Sequence, residues 1–215
     1  MIGTMDKIRR HAERARTEQD DLFGVLDACS VGTFSTLVDG LPWVVPMLYG
    51  RDGNHILLHG STGAGALRHV AAGAPAALCV CILDGIVVAD TLFDSSANYR
   101  SAVVRGNLTT LSAEESANAL TTLSDSILPG RSGEVREHQR KELAATRALA
   151  LPIEPGQWTV KVRDAPPGQV EESQAGTWAG VVPLRTVAGD PVRAPWVDAS
   201  APLPGSVRKL LGSQG

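Results

Sequence analysis

Hydrophobic and polar positions alternate with two different periods along this chain, and the change of period divides it into segments. Residues 5–28 place apolar side chains at helical spacing among charged ones, which predicts an N-terminal helix broken near residues 19–21. Residues 31–60 read instead as short strands around two Asp-Gly pairs, Asp39-Gly40 and Asp52-Gly53. Asp-Gly suits the positive φ of tight hairpin turns, so this stretch is predicted to be a three-stranded antiparallel meander.

Apolar runs continue through the middle of the chain. Residues 63–73 predict a short helix that ends at Gly73, a suitable residue for the position after a helix C-terminus. Residues 75–92 are strongly apolar and predict either one strand with a bulge at Asp84-Gly85 or a further hairpin. Residues 98–112 predict the next strand, with small and β-branched residues at its centre.

The second half alternates helices and strands. Ser112 and Glu115 form a capping box that predicts a helix running to about Leu128, before Pro129-Gly130. The charged segment 134–149 predicts a further helix. Two last strands are predicted at 156–165, with alternate residues on one face, and at 177–187. The tail from Asp190 is rich in Pro, Ala and Gly and is expected to be loosely ordered.

These elements favour a mainly β protein with helices, built as a small antiparallel barrel with flanking helices. We expect a helical extension over residues 1–30, the barrel domain over 31–188 and a C-terminal tail over 189–215.

Composition narrows the class of partner. Charged residues make up 20% of the chain and the formal net charge is −3, which argues against nucleic acid and anionic membranes as partners. No apolar run is long enough for a membrane span and the N-terminus lacks the apolar centre of a secretory signal, so a cytoplasmic protein is expected. Three cysteines do not suggest a disulfide framework, and Cys79 and Cys81 are interpreted as small buried residues, with a redox or metal role as the alternative.

Three features carry candidate chemistry. The stretch His59-Gly60-Ser61-Thr62 ends a predicted strand and opens a predicted helix, whose free amides suit an anion; a simple capped turn is the alternative. Arg100 enters a strand between Tyr99 and Ser101 and is suited to a phosphate or carboxylate, or else is an ordinary surface residue. Trp178 is interpreted as a core residue or a stacking platform for a ring. The histidines do not cluster, so no metal site is expected.

Taken together, four stretches resemble the pyridoxamine 5′-phosphate oxidase-like flavoproteins, in the branch related to nitroimidazole-resistance proteins. They are residues 44–89, "SSANYRSAVVRG" (95–106), "WTVKVRD" (158–164) and "TWAGVVPL" (177–184). The resemblance implies a split β-barrel that binds flavin mononucleotide (FMN) at the interface of a homodimer. It further implies an oxidoreductase that acts on an unidentified small molecule.

The resemblance also implies roles for individual residues. Pro46, Met47, Leu48 and Tyr49 would follow the isoalloxazine ring and offer backbone hydrogen bonds to its polar edge. His59 to Thr62 would begin the phosphate side. Arg100 and Ser101, beside Tyr99, would face the flavin from the partner subunit, and Trp178 would pack near the ring.

One departure bears on the cofactor. Family members commonly carry a basic residue near the start of the helix, where this sequence has Gly65-Ala66, and the nearest cation is Arg68. Three alternatives stay open: weak FMN binding, Arg68 as the phosphate partner, or a different ligand such as haem. A non-catalytic binding module and a dimer with a vestigial site are the corresponding alternatives for function. The residues that hold the substrate phosphate in the oxidases have no counterpart, so oxidation of pyridoxamine 5′-phosphate itself is not expected.

Overall fold

The computed structural model describes residues 8, 10–61, 70, 73–169 and 176–212. Its helices are α1 (Gln19–Asp27), α2 (Ala113–Ile127), α3 (Arg140–Ala145) and α4 (Gly205–Gly212), with short 3-10 turns at Ala12–Arg14 and Ser132–Glu134. Its strands are β1 (Ala15–Arg16), β2 (Val31–Val38), β3 (Leu41–Leu48), β4 (Gly50–Asp52), β5 (His55–Ser61), β6 (Pro75–Val88), β7 (Ser96–Asn107), β8 (Thr109–Thr110), β9 (Thr146–Pro152), β10 (Trp158–Arg163) and β11 (Gly180–Pro183).

The strands form two antiparallel sheets around one main core. The large sheet has the order β1-β10-β7-β6-β2-β3, and β11 pairs with the C-terminal end of β6. The small sheet has the order β4-β5-β9-β8. The inner faces of both sheets and one face of α1 bury a cluster that includes Phe34, Leu58, Leu78, Val104 and Leu151. This layout confirms the expected mainly β fold and is that of a split barrel, in which the two sheets do not close on each other.

The helix α2 covers the outer side of the small sheet. Leu57, Ala119, Leu120, Leu123 and Ala148 form a second buried cluster there. Ser112 accepts from the backbone N–H of Glu115 at 3.2 Å, and the Glu115 carboxylate accepts from the backbone N–H of Ser112 at 2.8 Å. The predicted capping box is therefore present, and it fixes the start of α2.

Two predictions at the start of the chain are confirmed only in part. The predicted helix 5–28 is helical only over α1, and the described residues before it form a 3-10 turn and β1, which pairs with β10. The predicted meander has its strands, but they belong to two sheets, because the chain crosses from the large sheet to the small one between Leu48 and Gly50. The run from residue 75 is one strand, and its register shifts between Leu83 and Gly85, which confirms the bulge.

Two predictions in the second half are wrong. Only residues 140–145 of the predicted helix 134–149 are helical, and the rest of its C-terminal part is β9, inserted between β5 and β8. The tail ends in α4, where the nearly buried Ser206 donates from its backbone N–H to the Glu134 carboxylate at 2.9 Å. The strand predictions at 156–165 and 177–187 are confirmed over shorter ranges, as β10 and β11. The predicted helix 63–73 lies largely outside the described residues.

Candidate functional site

The strand β3 forms one edge of the large sheet, and β2 is its neighbour on the other side. The backbone groups on its outer edge are not used by a neighbouring strand in the described part of the chain. Side chains of β3 alternate: Pro46 and Leu48 face outward, whereas Met47 packs against the core. An edge of this kind can offer main-chain donors and acceptors to a flat polar ligand.

The outer face of the large sheet around β3 is apolar and exposed. Register places Pro46 opposite Thr33, Thr33 opposite Cys79 and Cys79 opposite Val103, so these side chains share one face. Five large apolar side chains on that face are between 44% and 59% exposed: Val31, Leu37, Val44, Leu48 and Leu83. A contiguous apolar surface of this kind on a folded protein usually marks a binding surface.

Tyr49 follows β3 but points into the molecule. Its side chain is 1% exposed and its hydroxyl donates to the backbone carbonyl of Leu26 at 2.5 Å. Its backbone N–H donates to the carbonyl of Ser30 at 3.0 Å. Burial raises the pKa of the Tyr49 hydroxyl well above its usual range. The side chain and the N–H of this predicted site residue therefore hold α1 and the loop before β2 in place.

Arg100 points away from its two predicted companions. Its guanidinium binds Asp84 through two parallel hydrogen bonds, Nε to Oδ2 at 2.9 Å and Nη2 to Oδ1 at 2.8 Å. Arg100 shares the inner face of β7 with the buried Ala102, whereas Tyr99 and Ser101 share the outer face with Val103. Asp84 lies at the bulge of β6, and its backbone carbonyl accepts from the N–H of Leu184 at 2.9 Å. Sequence reasoning missed Asp84 as the partner, because Asp84 is the extra residue of the bulge, whereas Ile82 is the residue directly opposite Arg100.

His59 lines a cavity of about 200 Å³ between β5, α2 and α3. Its Nδ1 is buried and has no hydrogen-bond partner among the described residues. His138, Glu142, Ser124 and Thr146 supply the other polar groups of this cavity. A buried imidazole nitrogen without a partner is unusual, and it indicates that a water molecule or a ligand belongs beside it.

The expected phosphate side is described only in its first part. Gly60 and Ser61 are the last residues of β5 and pair with Arg147 and Thr146 of β9. Thr62, Arg68 and the pair Gly65-Ala66 lie outside the described residues. The proposed role of this turn stays a prediction.

Trp178 lies just before β11, and its side chain is 62% exposed. A Cβ on Gly180 would come within 2.9 Å of the indole Cζ2, so the indole lies directly over the glycine. This contact explains the Trp-x-Gly spacing, because any side chain at Gly180 would displace the ring. Trp178 is not in a strand and is not a core residue, which leaves one of its faces available for stacking.

The candidate residues separate into groups within one chain. Tyr49 and His59 line different cavities. The outer face of the large sheet collects Pro46, Leu48, Tyr99 and Ser101, whereas Arg100 lies on its inner face and Trp178 lies just before β11. Among the described residues, no three His, Cys, Asp or Glu side chains are placed to hold a metal ion. None of the described helices is both long and apolar enough to cross a membrane.

Several known proteins are similar to this chain in sequence or in fold. The family model described as pyridoxamine 5′-phosphate oxidase matches residues 18–160. A FAD and haem binding protein from Mycobacterium smegmatis is 43% identical, with 92% of this chain and 97% of that chain covered and a TM-score of 0.89. A comparison with curated proteins finds no match.

Two further solved structures share the fold. The flavocytochrome Anf3 from Azotobacter vinelandii is 27% identical over 97% of each chain, with a TM-score of 0.88. A Bacteroides thetaiotaomicron protein assigned to 5-nitroimidazole antibiotic resistance is 17% identical, covers 69% of this chain and 86% of its own length, and has a TM-score of 0.57. At that identity the last comparison supports the fold alone.

Proposed function

This chain belongs to the pyridoxamine 5′-phosphate oxidase family, and from that premise we propose that it is a flavin-binding oxidoreductase that works as a homodimer. The observation that carries the proposal is the relative from M. smegmatis, which is 43% identical over 92% of this chain and is named for binding FAD and haem. A bound flavin supplies hydride or single-electron transfer; the protein supplies position, polarity and exclusion of water.

The outer face of the large sheet fits the ring of a flavin. The free edge of β3 offers backbone groups for the polar side of the ring, and Pro46 and Leu48 offer an apolar surface for its flat body. The exposed indole of Trp178 offers a second stacking surface. Arg100 is held by Asp84 on the inner face of β7, so its proposed role is to position the hairpin rather than to touch the ring.

A second copy of this chain is the proposed cover for the apolar face. Val31, Leu37, Val44, Leu48 and Leu83 would lose their exposure to water in a face-to-face dimer, which is the usual source of free energy for association. The flavin would then lie between the large sheets of the two subunits, where solvent is excluded. This arrangement also brings Tyr99 and Ser101 of β7 toward the partner.

The identity of the flavin is part of the proposal. FMN, which the sequence resemblance implies, stays a prediction, and the name of the M. smegmatis relative favours FAD. Haem as an additional ligand is a second candidate, favoured by the names of the two relatives that cover more than nine tenths of this chain. The cavity beside His59, at about 200 Å³, is too small for a haem, so His59 is not proposed as its ligand.

An absorption spectrum of the purified protein tests the proposal. Two flavin bands are expected, and chromatography of the released cofactor then separates FAD from FMN. A Soret band would support haem as well. A protein that carries no flavin and takes up neither FMN nor FAD would overturn the proposal.

Trp178→Ala should weaken flavin binding about two- to tenfold, the usual contribution of an aromatic stacking contact. Trp196→Ala is the matched control, because Trp196 is 85% exposed and lies in the tail. Titration of the cofactor-free proteins with flavin, followed by flavin fluorescence, measures both. Equal affinities in the two variants would remove Trp178 from the site.

A further inference from the structure

The tip of the β6–β7 hairpin, residues 91–95, carries two apolar side chains that point into solvent. Leu92 is 98% exposed and Phe93 is 94% exposed. The turn is nonetheless ordered, because Asp94 donates from its backbone N–H to the Thr91 hydroxyl at 3.1 Å and that hydroxyl donates to the Asp94 carboxylate at 2.5 Å. An ordered turn that presents a leucine and a phenylalanine to water is a preformed contact for another surface.

The tip continues the apolar outer face of the large sheet. Ile86 lies opposite Ala97, two residues before Tyr99 on β7, so its side chain shares the outer face with Tyr99. Val182 of β11 lies opposite Ile86 on the same face. Both side chains are more than a third exposed. The exposed apolar surface therefore runs along β6 from Leu83 to the tip.

The other end of the same outer face carries a depression of about 390 Å³. Register places Ser35 opposite Ala77 and Ala77 opposite Arg105, so these side chains form a row across β2, β6 and β7. Ser35 and Ala77 are small. Leu37 and Pro42, which lie opposite each other, border the row on one side, and Arg105 borders it on the other. The sheet surface is hollow here because small residues lie between larger ones, and the hollow has room for apolar side chains.

The tip and the depression lie at opposite ends of one hairpin. About 20 Å of β7 separates Arg105 from Tyr99, and Tyr99 lies about as far from the tip. A two-fold axis that crosses the hairpin at Tyr99, in the plane between two large sheets packed face to face, brings each tip to the depression of the partner subunit. The same axis makes the two contacts identical, as in any isologous dimer.

Charge favours the same pairing. Asp90 and Asp94 lie on either side of the exposed Leu92 and Phe93, and neither carboxylate forms an ion pair in the described part of the chain. Arg105 supplies a cation at the border of the depression. A tip that enters the depression therefore brings carboxylates toward a guanidinium group, and opposite charges favour the correct docking of two surfaces.

We propose that Leu92 and Phe93 of each subunit insert into the depression around Ala77 of the partner subunit, so that two symmetry-related contacts close the homodimer. The inference rests on the homodimer of the proposed function and adds which parts of the two chains meet. A second copy of this chain is the occupant, because the tip and the depression share one face, lie at equal distances from a two-fold axis and carry opposite charges.

A disulfide between introduced cysteines tests the contact. In a protein whose Cys29, Cys79 and Cys81 are replaced by serine, Ala77→Cys/Phe93→Cys should form a disulfide-linked dimer under mild oxidation, seen at twice the chain mass on a non-reducing gel. The link cannot form within one chain, because about 30 Å of β6–β7 ladder separates the row of Ala77 from the tip. Mass spectrometry of the linked peptides identifies the pair.

The controls are Ala77→Cys and Phe93→Cys, each alone in the same background. Neither should form a linked dimer, because each residue lies far from its own copy across the axis. A dimer by light scattering that forms no 77–93 disulfide would overturn the inference and leave the homodimer itself standing, whereas a monomer would overturn both. The flavin spectrum of the same samples shows separately whether the cofactor is bound.

Removal of the two exposed side chains gives a second measurement. Leu92→Ser/Phe93→Ser should raise the dissociation constant of the dimer at least tenfold, because two apolar side chains lose their burial. Val192→Ser/Trp196→Ser is the matched control: both residues are strongly exposed in the tail, and the dissociation constant should stay unchanged. Sedimentation equilibrium measures the constants, and circular dichroism establishes that each variant is folded. An unchanged dissociation constant in Leu92→Ser/Phe93→Ser would also reject the contact.

Discussion

Tyr49 occupies the point where the chain leaves the large sheet and enters the small one. Its hydroxyl closes the gap to α1 by donating to the carbonyl of Leu26, deep in the core. A buried carbonyl that loses its donor cannot recover the lost hydrogen bond from water. We therefore assign this residue to stability, although its position after β3 predicts a role at the cofactor.

Tyr49→Phe should lower the free energy of unfolding by about 1–3 kcal/mol, because it leaves the Leu26 carbonyl without its donor. Tyr99→Phe should have little effect, since the Tyr99 side chain is partly exposed and its hydroxyl makes no hydrogen bond in the described part of the chain. Urea unfolding of the three proteins at neutral pH measures the difference.

The same pair of variants gives a pH dependence. Burial raises the pKa of Tyr49 in the folded protein, whereas the unfolded chain releases this proton at about pH 10. The contribution of Tyr49 to stability should be constant below pH 10. It should fall as the pH rises above 10, because the Tyr49 hydroxyl then ionises in the unfolded chain but not in the folded protein. The fall should be smaller in Tyr49→Phe. An equal alkaline fall in Tyr49→Phe and the unsubstituted protein would contradict the assignment.

Residue alternation decides how much of the site the sequence could predict. Neighbours on a strand point to opposite faces, so Arg100 and Ser101 cannot both face one ligand from the same chain. Which of the two faces outward depends on the bulge at Leu83/Gly85 and on pairing with strands distant in sequence. The residue types at 46–49 and 99–101 were readable from the sequence; the face each side chain occupies was not.

At the scale of elements, β9 shows why local propensity fails. Residues 146–151, Thr-Arg-Ala-Leu-Ala-Leu, contain strong helix formers and continue the pattern of α3. The structure pairs residues 146–152 with β5 and residues 149 and 150 with β8 on the other side, and Ala148 to Leu151 are buried. Burial between two strands outweighs propensities of a few tenths of a kcal/mol per residue. The capping box of α2, by contrast, is a purely local signal and was predicted correctly.

The bulge in β6 gives a test at this scale. A Cβ on Gly85 would lie 3.1 Å from both the Val182 carbonyl oxygen and Val181 Cγ1, so Gly85→Ala has to displace β11. It should cost about 1–3 kcal/mol of stability. Gly24→Ala is the control, and it should change stability in the opposite direction. A Cβ at Gly24, in the middle of α1, would meet no atom within 4 Å, so alanine there should raise the free energy of unfolding by about 0.5–1 kcal/mol. Urea unfolding compares the two variants, and a neutral Gly85→Ala would show that β11 is free to move.

At the scale of the whole molecule, the two faces of the large sheet differ in their cover. The inner face is buried with α1 and the small sheet, while the outer face leaves several large apolar side chains about half exposed. Sequence patterning predicted strands with one apolar face and could not show that β2 and β3 carry apolar residues on both. That double apolar character is the main support for the proposed dimer.

Val44→Glu should convert the proposed dimer into a monomer, because Val44 is 59% exposed on the outer face and a buried carboxylate without a partner is strongly unfavourable. The dissociation constant should rise at least tenfold, and flavin content should fall with it. Val187→Glu makes the same change at a side chain that is 66% exposed between β11 and the tail, and it should leave both quantities unchanged. Light scattering measures the molecular mass of each variant in solution. Dimers that persist in Val44→Glu would reject this face as the interface.

The pairing of β5 with β9 has a consequence for biosynthesis. β5 pairs with β4 as soon as the turn at Gly53-Asn54 forms, but its other edge stays unpaired until residues 146–152 leave the ribosome much later. At about 5–20 residues per second, that interval is on the order of ten seconds. During it the apolar run Ile56-Leu57-Leu58 lies beside an open strand edge, which is a template for pairing with another nascent chain. Fragments that end before residue 146 keep that edge permanently and should aggregate, whereas the complete chain protects it with β9.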